Sequence, residues 1–180
     1  GDRNTAGNGG VSRLFRLVSV AMQLGGARGH SVNIELNGSE QINTSPVNLW
    51  ESVIDPVVLQ RAIPGCISMT ETGEGQYQMT LELKVAAVGG SFEGAVSLSE
   101  MNPPHSCVIT VSGSGTLGTG GGNATVAITE GDDGNALISY QAQGEVSGLV
   151  AGVGQRILMG VAKHLARQFF AALKKEFAAA

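Results

Sequence analysis

The chain has 180 residues and a formal net charge of −4, with 27 glycines and 4% aromatic residues. No apolar run reaches the roughly 18–20 residues of a membrane-spanning helix, and residues 1–30 do not read as a secretory signal. One domain with extensions is the economical reading of that length, and so much glycine points to tight turns, close backbone approach or space left unfilled.

Charge is unevenly distributed. Residues 3–34 hold four arginines and no acid, residues 35–145 hold thirteen acids against Arg61 and Lys84, and residues 156–176 hold five bases and one acid. An acidic body between basic ends argues against nucleic acid as the partner of that body. It leaves the ends free to meet an anionic membrane surface or an acidic partner, or simply to be solvated faces.

Residues 1–30 form a glycine-rich basic leader. Within it, VSRLFRLVSVAMQL puts Val11, Leu14, Phe15, Val18 and Met22 on one helical face. That helix could dock on the domain, lie on a membrane, or be the remnant of an upstream domain linked through the leader. Two arginines in so short a helix make a weak membrane anchor, which favours the first and third readings. The domain proper spans 31–178.

Val32, Ile34 and Leu36 alternate with polar neighbours, so residues 31–43 read as a strand. Two short helices follow in SPVNLWESVIDPVVLQRA. Ser45 and Asp55 are their N-caps, and Pro46 and Pro56 take first helical positions, where a missing donor costs nothing. Pro64-Gly65 stops the second helix and turns the corner, and Cys66 opens extended structure.

QYQMTLELKV alternates strictly, with Tyr77, Met79, Leu81, Leu83 and Val85 on one face. SFEGAVSLSE puts Phe92, Val96 and Leu98 on one face, with Gly94 opening a gap. HSCVITVSGSG, NATVAITE and ALISYQAQGEV continue the extended pattern. TGEG, VGG, NPP, TGGG and EGDDG read as the breaks between strands, which gives an antiparallel meander with one buried face. Residues 147–178 read as one long helix. Val150, Val153, Gly154, Ile157, Leu158, Val161, Leu165, Phe169 and Leu173 form its apolar stripe. Arg156, Lys163, Arg167 and Lys174 line the other side. Phe170 and Phe177 fall near them, as exposed aromatics suited to a membrane surface or a partner.

Catalytic signals are missing. GSGTLG (113–118) matches G-x-G-x-x-G, but a strand follows where a helix N-terminus must hold pyrophosphate, so it is a glycine-rich hairpin. EGDDG (130–134) lacks the ligand spacing of a calcium loop and is a turn. His30, His105 and His164 are scattered, which argues against a metal site, and no cofactor is expected. Cys66 and Cys107 lack a neighbouring base. They read as reduced thiols of a cytosolic protein, a disulfide being the alternative. Tyr77 and Tyr140, if buried, need hydrogen-bond partners from backbone, water or a ligand oxygen.

A curved seven-stranded sheet wrapping one long helix encloses an apolar space, either a solid core or a ligand cavity. The expected lining is Tyr77, Met79, Leu81, Phe92, Val96, Tyr140, Ile157, Val161, Leu165 and Phe169. Gly94, Gly154 and Gly160 are expected to keep it open. The short helices should act as a lid, with Trp50, Leu59, Ile63 and Pro64 at the mouth. Arg156, Lys163, Arg167, Phe170, Lys174 and Phe177 are the expected membrane or partner surface.

Trp50, Asp55-Pro56, Leu59 and Ile63-Pro64-Gly65-Cys66, with the Gly90/Phe92/Gly94 strand, Asn102-Pro103-Pro104 and GQRILMGVAKHLARQFFAAL, resemble the family of the carbon monoxide dehydrogenase G subunit. That family's hallmark reads Cys-Ile-Pro-Gly-Cys, and its first cysteine is Ala62 here, against any required cysteine pair. The likeness covers about residues 31–175 and rests on the combined spacing. It implies an α+β helix-grip fold of the START/Bet v 1 type. It also implies a non-enzymatic accessory protein that binds a lipophilic molecule such as a quinone or lipid. Such a protein would link a molybdenum hydroxylase-type enzyme to the inner face of the cytoplasmic membrane. Two other readings stand beside it. One is a docking or maturation factor with a filled core, acting through the basic helix. The other is a cavity enzyme such as a cyclase or hydrolase, which would need convergent ionisable groups inside.

Overall fold

The structure, a computed structural model, describes residues 31–84 and 89–178. The leader with its amphipathic segment, and Val85, lie outside the described residues. Seven antiparallel strands form one sheet: β1 (Ser31–Ile42), β2 (Cys66–Gly73), β3 (Gln76–Leu83), β4 (Gly90–Asn102), β5 (Ser106–Gly115), β6 (Gly118–Glu130) and β7 (Ala136–Ser147). Their order is β1-β7-β6-β5-β4-β3-β2. β1 and β2, neighbours in sequence, therefore sit at opposite edges. The helices α1 (Pro46–Val53) and α2 (Pro56–Ala62) carry the chain across one end of the sheet, and α3 (Gln155–Glu176) lies along its concave face.

The local chemistry of the helix pair is as expected. Ser45 Oγ accepts from the Asn48 amide (3.2 Å) and Asp55 Oδ1 from the Val57 amide (2.9 Å), each satisfying a donor of the first turn. After Pro64, Gly65 adopts φ +75°, and a Cβ there would stand 2.5 Å from the Glu82 carbonyl. The Glu82 amide in turn donates to Gly65 O at 2.8 Å. Glycine is required at this corner for both its backbone conformation and its clearance.

Each strand sorts its residues by alternation. On β1, Ser31, Asn33, Glu35, Asn37, Ser39 and Gln41 are exposed, while Val32, Ile34, Leu36 and Ile42 turn inward. Glu93 lies outward and accepts from Thr80 Oγ1 at 3.1 Å across the β3–β4 pair.

Two expectations are corrected. TGGG (119–122) is not a break: it lies inside β6, and the reversal is the two-residue turn Thr116-Leu117, flanked by the Gly115–Gly118 pair. The long helix also starts later than residue 147. Gly148 (φ +94°) and Gly154 (φ +93°) bracket a 3₁₀ turn, Leu149–Val153, before α3 begins. Positive φ at both positions interrupts the helical hydrogen-bond ladder, so Gly154 is a break rather than part of a helical stripe.

The main core lies at the helix-pair end. There Ile42, Leu49, Trp50, Val58, Cys107, Val126, Ile128, Ala136, Ile138, Phe170 and Leu173 are buried together. A second cluster centres on Tyr77, Met79 and Val96. Polar ties run between layers. Arg61 and Glu176 form a two-pronged pair at 2.8 and 2.9 Å, joining α2 to the end of α3. Lys174 Nζ meets Glu40 Oε2 at 2.7 Å, joining α3 to β1. The buried Tyr77 hydroxyl donates to Ile54 O at 2.7 Å and fixes the α1–α2 junction to β3. Burial is the main cause holding that phenol above its ordinary range, with Glu71 and Asp55 adding to it.

Tyr77→Phe should cost about 1–2 kcal/mol, because it leaves the Ile54 carbonyl without its donor in a half-dry site. Chemical denaturation would measure this, and an unchanged midpoint would mean that the bond carries no net stability. The Arg61 hydrogen bond holds Glu176 below its ordinary value of 4.5. A folded-state pKa below the unfolded one contributes stability that is present above the ordinary value and lost as pH falls through the depressed one. The Tm gap between wild type and Glu176→Gln should therefore be constant near neutrality and shrink below about pH 4.5. A gap independent of pH would show that the pair is not electrostatic in origin.

Candidate functional site

A cavity of about 570 Å³ lies between α3 and the concave face of the sheet. It occupies the opposite end from the main core. Leu158, Val161, Ala162 and Leu165 of α3 roof it, with Val150 from the 3₁₀ turn. Ile34, Leu36, Met79, Leu81, Leu83, Phe92, Ile109, Val111, Ala124, Ala142 and Val146 form the walls. Its floor is glycine.

Register explains that floor. Gly94 of β4 pairs with Gly113 of β5, Gly113 with Gly120 of β6, and Gly122 of β6 with Gly144 of β7. All lie on the inner face, so four adjacent strands present bare backbone side by side. The inner residues of β6 read Gly118, Gly120, Gly122, Ala124, Val126, Ile128, bare at the hollow end and bulky at the packed end. Some of these glycines are imposed by close approach. A Cβ at Gly122 would collide with the Gln143 carbonyl, and one at Gly118 with that of Ser147. Others are not: a Cβ at Gly113 would meet only Glu93 O, at 3.6 Å, and one at Gly120 only Glu145 O at 3.6 Å and Val146 Cγ2 at 3.8 Å. The emptiness at Gly113 and Gly120 is thus not forced by the backbone.

Of the expected lining, Met79, Leu81, Phe92, Val161 and Leu165 border the cavity. Tyr77 and Val96 lie in the second core cluster, and the Tyr77 hydroxyl is already committed to Ile54. Tyr140 packs on the main core with its ring stacked on Phe170 at 5.3 Å, and Phe169 packs on the same core. Ile157 points away, 49% exposed, and Leu158 takes the inward position. Gly94 is in the floor, but Gly160 is exposed on α3, with no atom within 4 Å of a Cβ built there.

The mouth residues are also relocated. Trp50 is 5% exposed in the main core, Leu59 is half-buried on α2, and Ile63 packs on the second cluster. Pro64 borders a separate outer cleft. The helix pair closes the packed end and is not a lid over the hollow one. On α3, Arg156, Lys163, Arg167 and Lys174 are exposed as expected. Phe170 is not: it is 8% exposed and stacked on Tyr140, and Phe177 is half-buried against the core. A single helical stripe does not describe α3, because its first half faces the hollow with Leu158, Val161 and Leu165 and its second half turns Phe170 and Leu173 inward.

Sequence reasoning finds Met79, Leu81 and Phe92 on the β3–β4 side but misses most of the floor and the wall residues of β1, β5, β6 and β7. The available signal is glycine at alternate positions of residues 118–122, which in isolation has the composition of a turn.

The site carries little chemistry of its own. Side chains of Glu93, Ser112, Asn123, Gln143 and Glu145 belong by alternation to the outer face, so these residues border the cavity with backbone. Among the described residues no group of three or more His, Cys, Asp or Glu could hold a metal ion. Cys66 and Cys107 are free thiols, and burial pushes both above their ordinary range, away from thiolate reactivity. The space can exclude water and accept an apolar body. No constellation for nucleophilic or acid–base catalysis lies along it among the described residues.

Comparison with known proteins agrees with this architecture. A crystal structure of a conserved protein from Geobacillus kaustophilus superposes with a TM-score of 0.77 at 33% identity, over 81% of this chain and 95% of that one. Protein CV1439 from Chromobacterium violaceum has a TM-score of 0.58 at 15% identity, over 78% and 95% of the two chains. Ara h 8.0201 has a TM-score of 0.57 at 11% identity, over 82% and 99%. The last two share the fold alone, a helix-grip fold of the START/Bet v 1 type. No curated protein matches the chain. The family of the carbon monoxide dehydrogenase G subunit (CoxG) matches residues 38–178, and the chain belongs to that family.

Proposed function

We propose that this protein is a non-catalytic accessory protein that carries a lipophilic small molecule, a quinone or lipid-like compound, in the cavity under α3. It would serve a molybdenum hydroxylase or carbon monoxide dehydrogenase-type enzyme at the membrane. The observation that carries this reading is the glycine floor. Gly113 and Gly120 leave open space where larger side chains would fit, although unfilled apolar volume forfeits packing energy. A bound apolar molecule restores those contacts, and the walls offer area for affinity with few groups for chemistry.

Two other features support the reading. The CoxG family takes its name from a carbon monoxide dehydrogenase, which associates it with such an enzyme. No helix among the described residues is long and apolar enough to cross a membrane, so contact through those residues' helices would be peripheral. Leu149 (78% exposed) and Ile157 (49%) project at the hollow end beside Arg156, a mixture suited to an anionic lipid surface. A docking factor with a filled core is disfavoured by the cavity, and docking through Phe170 by the burial of that ring.

Native mass spectrometry of protein from its own host, followed by organic extraction, tests the cargo. A quinone or lipid at one-to-one stoichiometry is expected, and ligand at about a hundredfold its Kd should raise Tm by roughly 5–10 °C. A clean unliganded mass together with no shift on adding quinones would remove the carrier reading. A second test fills the hollow. Gly113→Val with Gly120→Val should keep the fold and its Tm, since both positions have room and valine suits a strand, yet abolish uptake. Undiminished uptake by a folded double variant would place the ligand elsewhere.

A further inference from the structure

A second concavity of about 460 Å³ lies outside the cavity, between the α2–β2 corner, the end of β3 and the middle of α3. The two spaces share Leu83 and Leu165, and these two side chains are the partition common to both. The outer space differs sharply in chemistry from the inner one. It is bordered by Glu82, Lys84, His164 and Gln168 together with Cys66. All four of those polar residues are exposed. Among the described residues none of their side chains makes a hydrogen bond or ion pair, although Glu82 and Lys84 sit two residues apart at the end of β3 and His164 and Gln168 one turn apart on α3.

We propose that this cleft is the portal of the cavity, and that His164 and Gln168 hold the oxygen-bearing end of a neutral amphiphile whose apolar part lies within. The inference rests on the carrier reading and adds to it a route and a polarity of binding. His164 and Gln168 bring hydrogen-bond donors from α3 to the outer side of the partition, whereas the walls and roof on its inner side are apolar. By alternation Glu82 and Lys84 turn to the outer face and border the cleft with backbone. Among the described residues no charged side chain therefore faces His164 and Gln168 there, and the cleft favours an uncharged carbonyl or hydroxyl over a phosphate or carboxylate. Leu83 and Leu165 are flexible, unbranched at Cβ, and can change rotamer to admit a chain without moving the sheet. Gly65 lets the α2–β2 corner run close to Glu82 and leaves the adjoining Cys66 half-buried at the rim.

The test compares two probes on the full chain by fluorescence and calorimetry. One is decylubiquinone, a neutral quinone with an apolar tail, and the other is N-phenyl-1-naphthylamine, an apolar probe with no carbonyl head. In His164→Ala/Gln168→Ala the quinone should bind at least about tenfold more weakly, the loss expected when two hydrogen bonds are removed, while the naphthylamine binds as in wild type. Both substituted residues are exposed, so circular dichroism should report an intact fold. Cys66 provides a second, kinetic reading. A bulky maleimide attached there should markedly slow entry of both probes, and Cys66→Ser treated with the same reagent should be unaffected. Unchanged quinone affinity in the double variant and unchanged entry after labelling would overturn the portal while leaving the cavity reading intact. Failure of both probes to bind wild type would overturn both.

Discussion

Side-chain volume is graded along the inner face of β6, and most of the architecture follows from that gradient. Gly118, Gly120 and Gly122 give way to Ala124, then Val126, then Ile128, and the neighbouring strands keep step. β5 runs from Gly115 and Gly113 to Val111, Ile109 and Cys107, and β4 places Gly94 ahead of Val96 and Leu98. Packing is dense where bulk is available and cannot be where it is not. One sheet therefore supports both a solid core and a hollow, with α3 spanning the two.

The polar ties follow the same division. At the packed end α3 is fixed by Phe170 and Leu173 in the core and by the pairs Arg61–Glu176 and Lys174–Glu40. At the hollow end it is held by lighter contacts, chiefly Gln155 Nε2 to Asn33 O at 3.0 Å. Ahead of it, the 3₁₀ turn is bracketed by two glycines at positive φ. Regions with few buried apolar contacts open at lower free energy than the core. The part of the helix over the cavity is thus the part least tied down, which is what admission of a ligand would need.

The inner and outer faces of the sheet have divided their work. The outer face is a ladder of serine, threonine, asparagine and glutamine with scattered acids, and the acidic body evident in the sequence is largely this wet surface and the loops. Inside, backbone amides and carbonyls are satisfied by the ladder, so bare glycine can face an apolar space without leaving polar groups unpaired. Specific polar contact with a ligand would then have to come from the cavity's edges.

Local signals in the chain are enough to set the elements and most of their order. Caps at Ser45 and Asp55, the stop at Pro64-Gly65, alternation along β1, β3 and β4 and the basic side of the last helix each act within a few residues. The order of the elements points to a sheet wrapped round one long helix, and the family resemblance implies the same fold. None of these signals says which end is hollow, that Trp50 is core, that Phe170 turns inward onto Tyr140, or that residues 119–122 are strand. Those facts arise from pairing between segments distant in sequence, and they are fixed only when the strands come into register. Gly94, Gly113 and Gly120 are each ordinary alone, and become a cavity floor because hydrogen bonding sets them side by side.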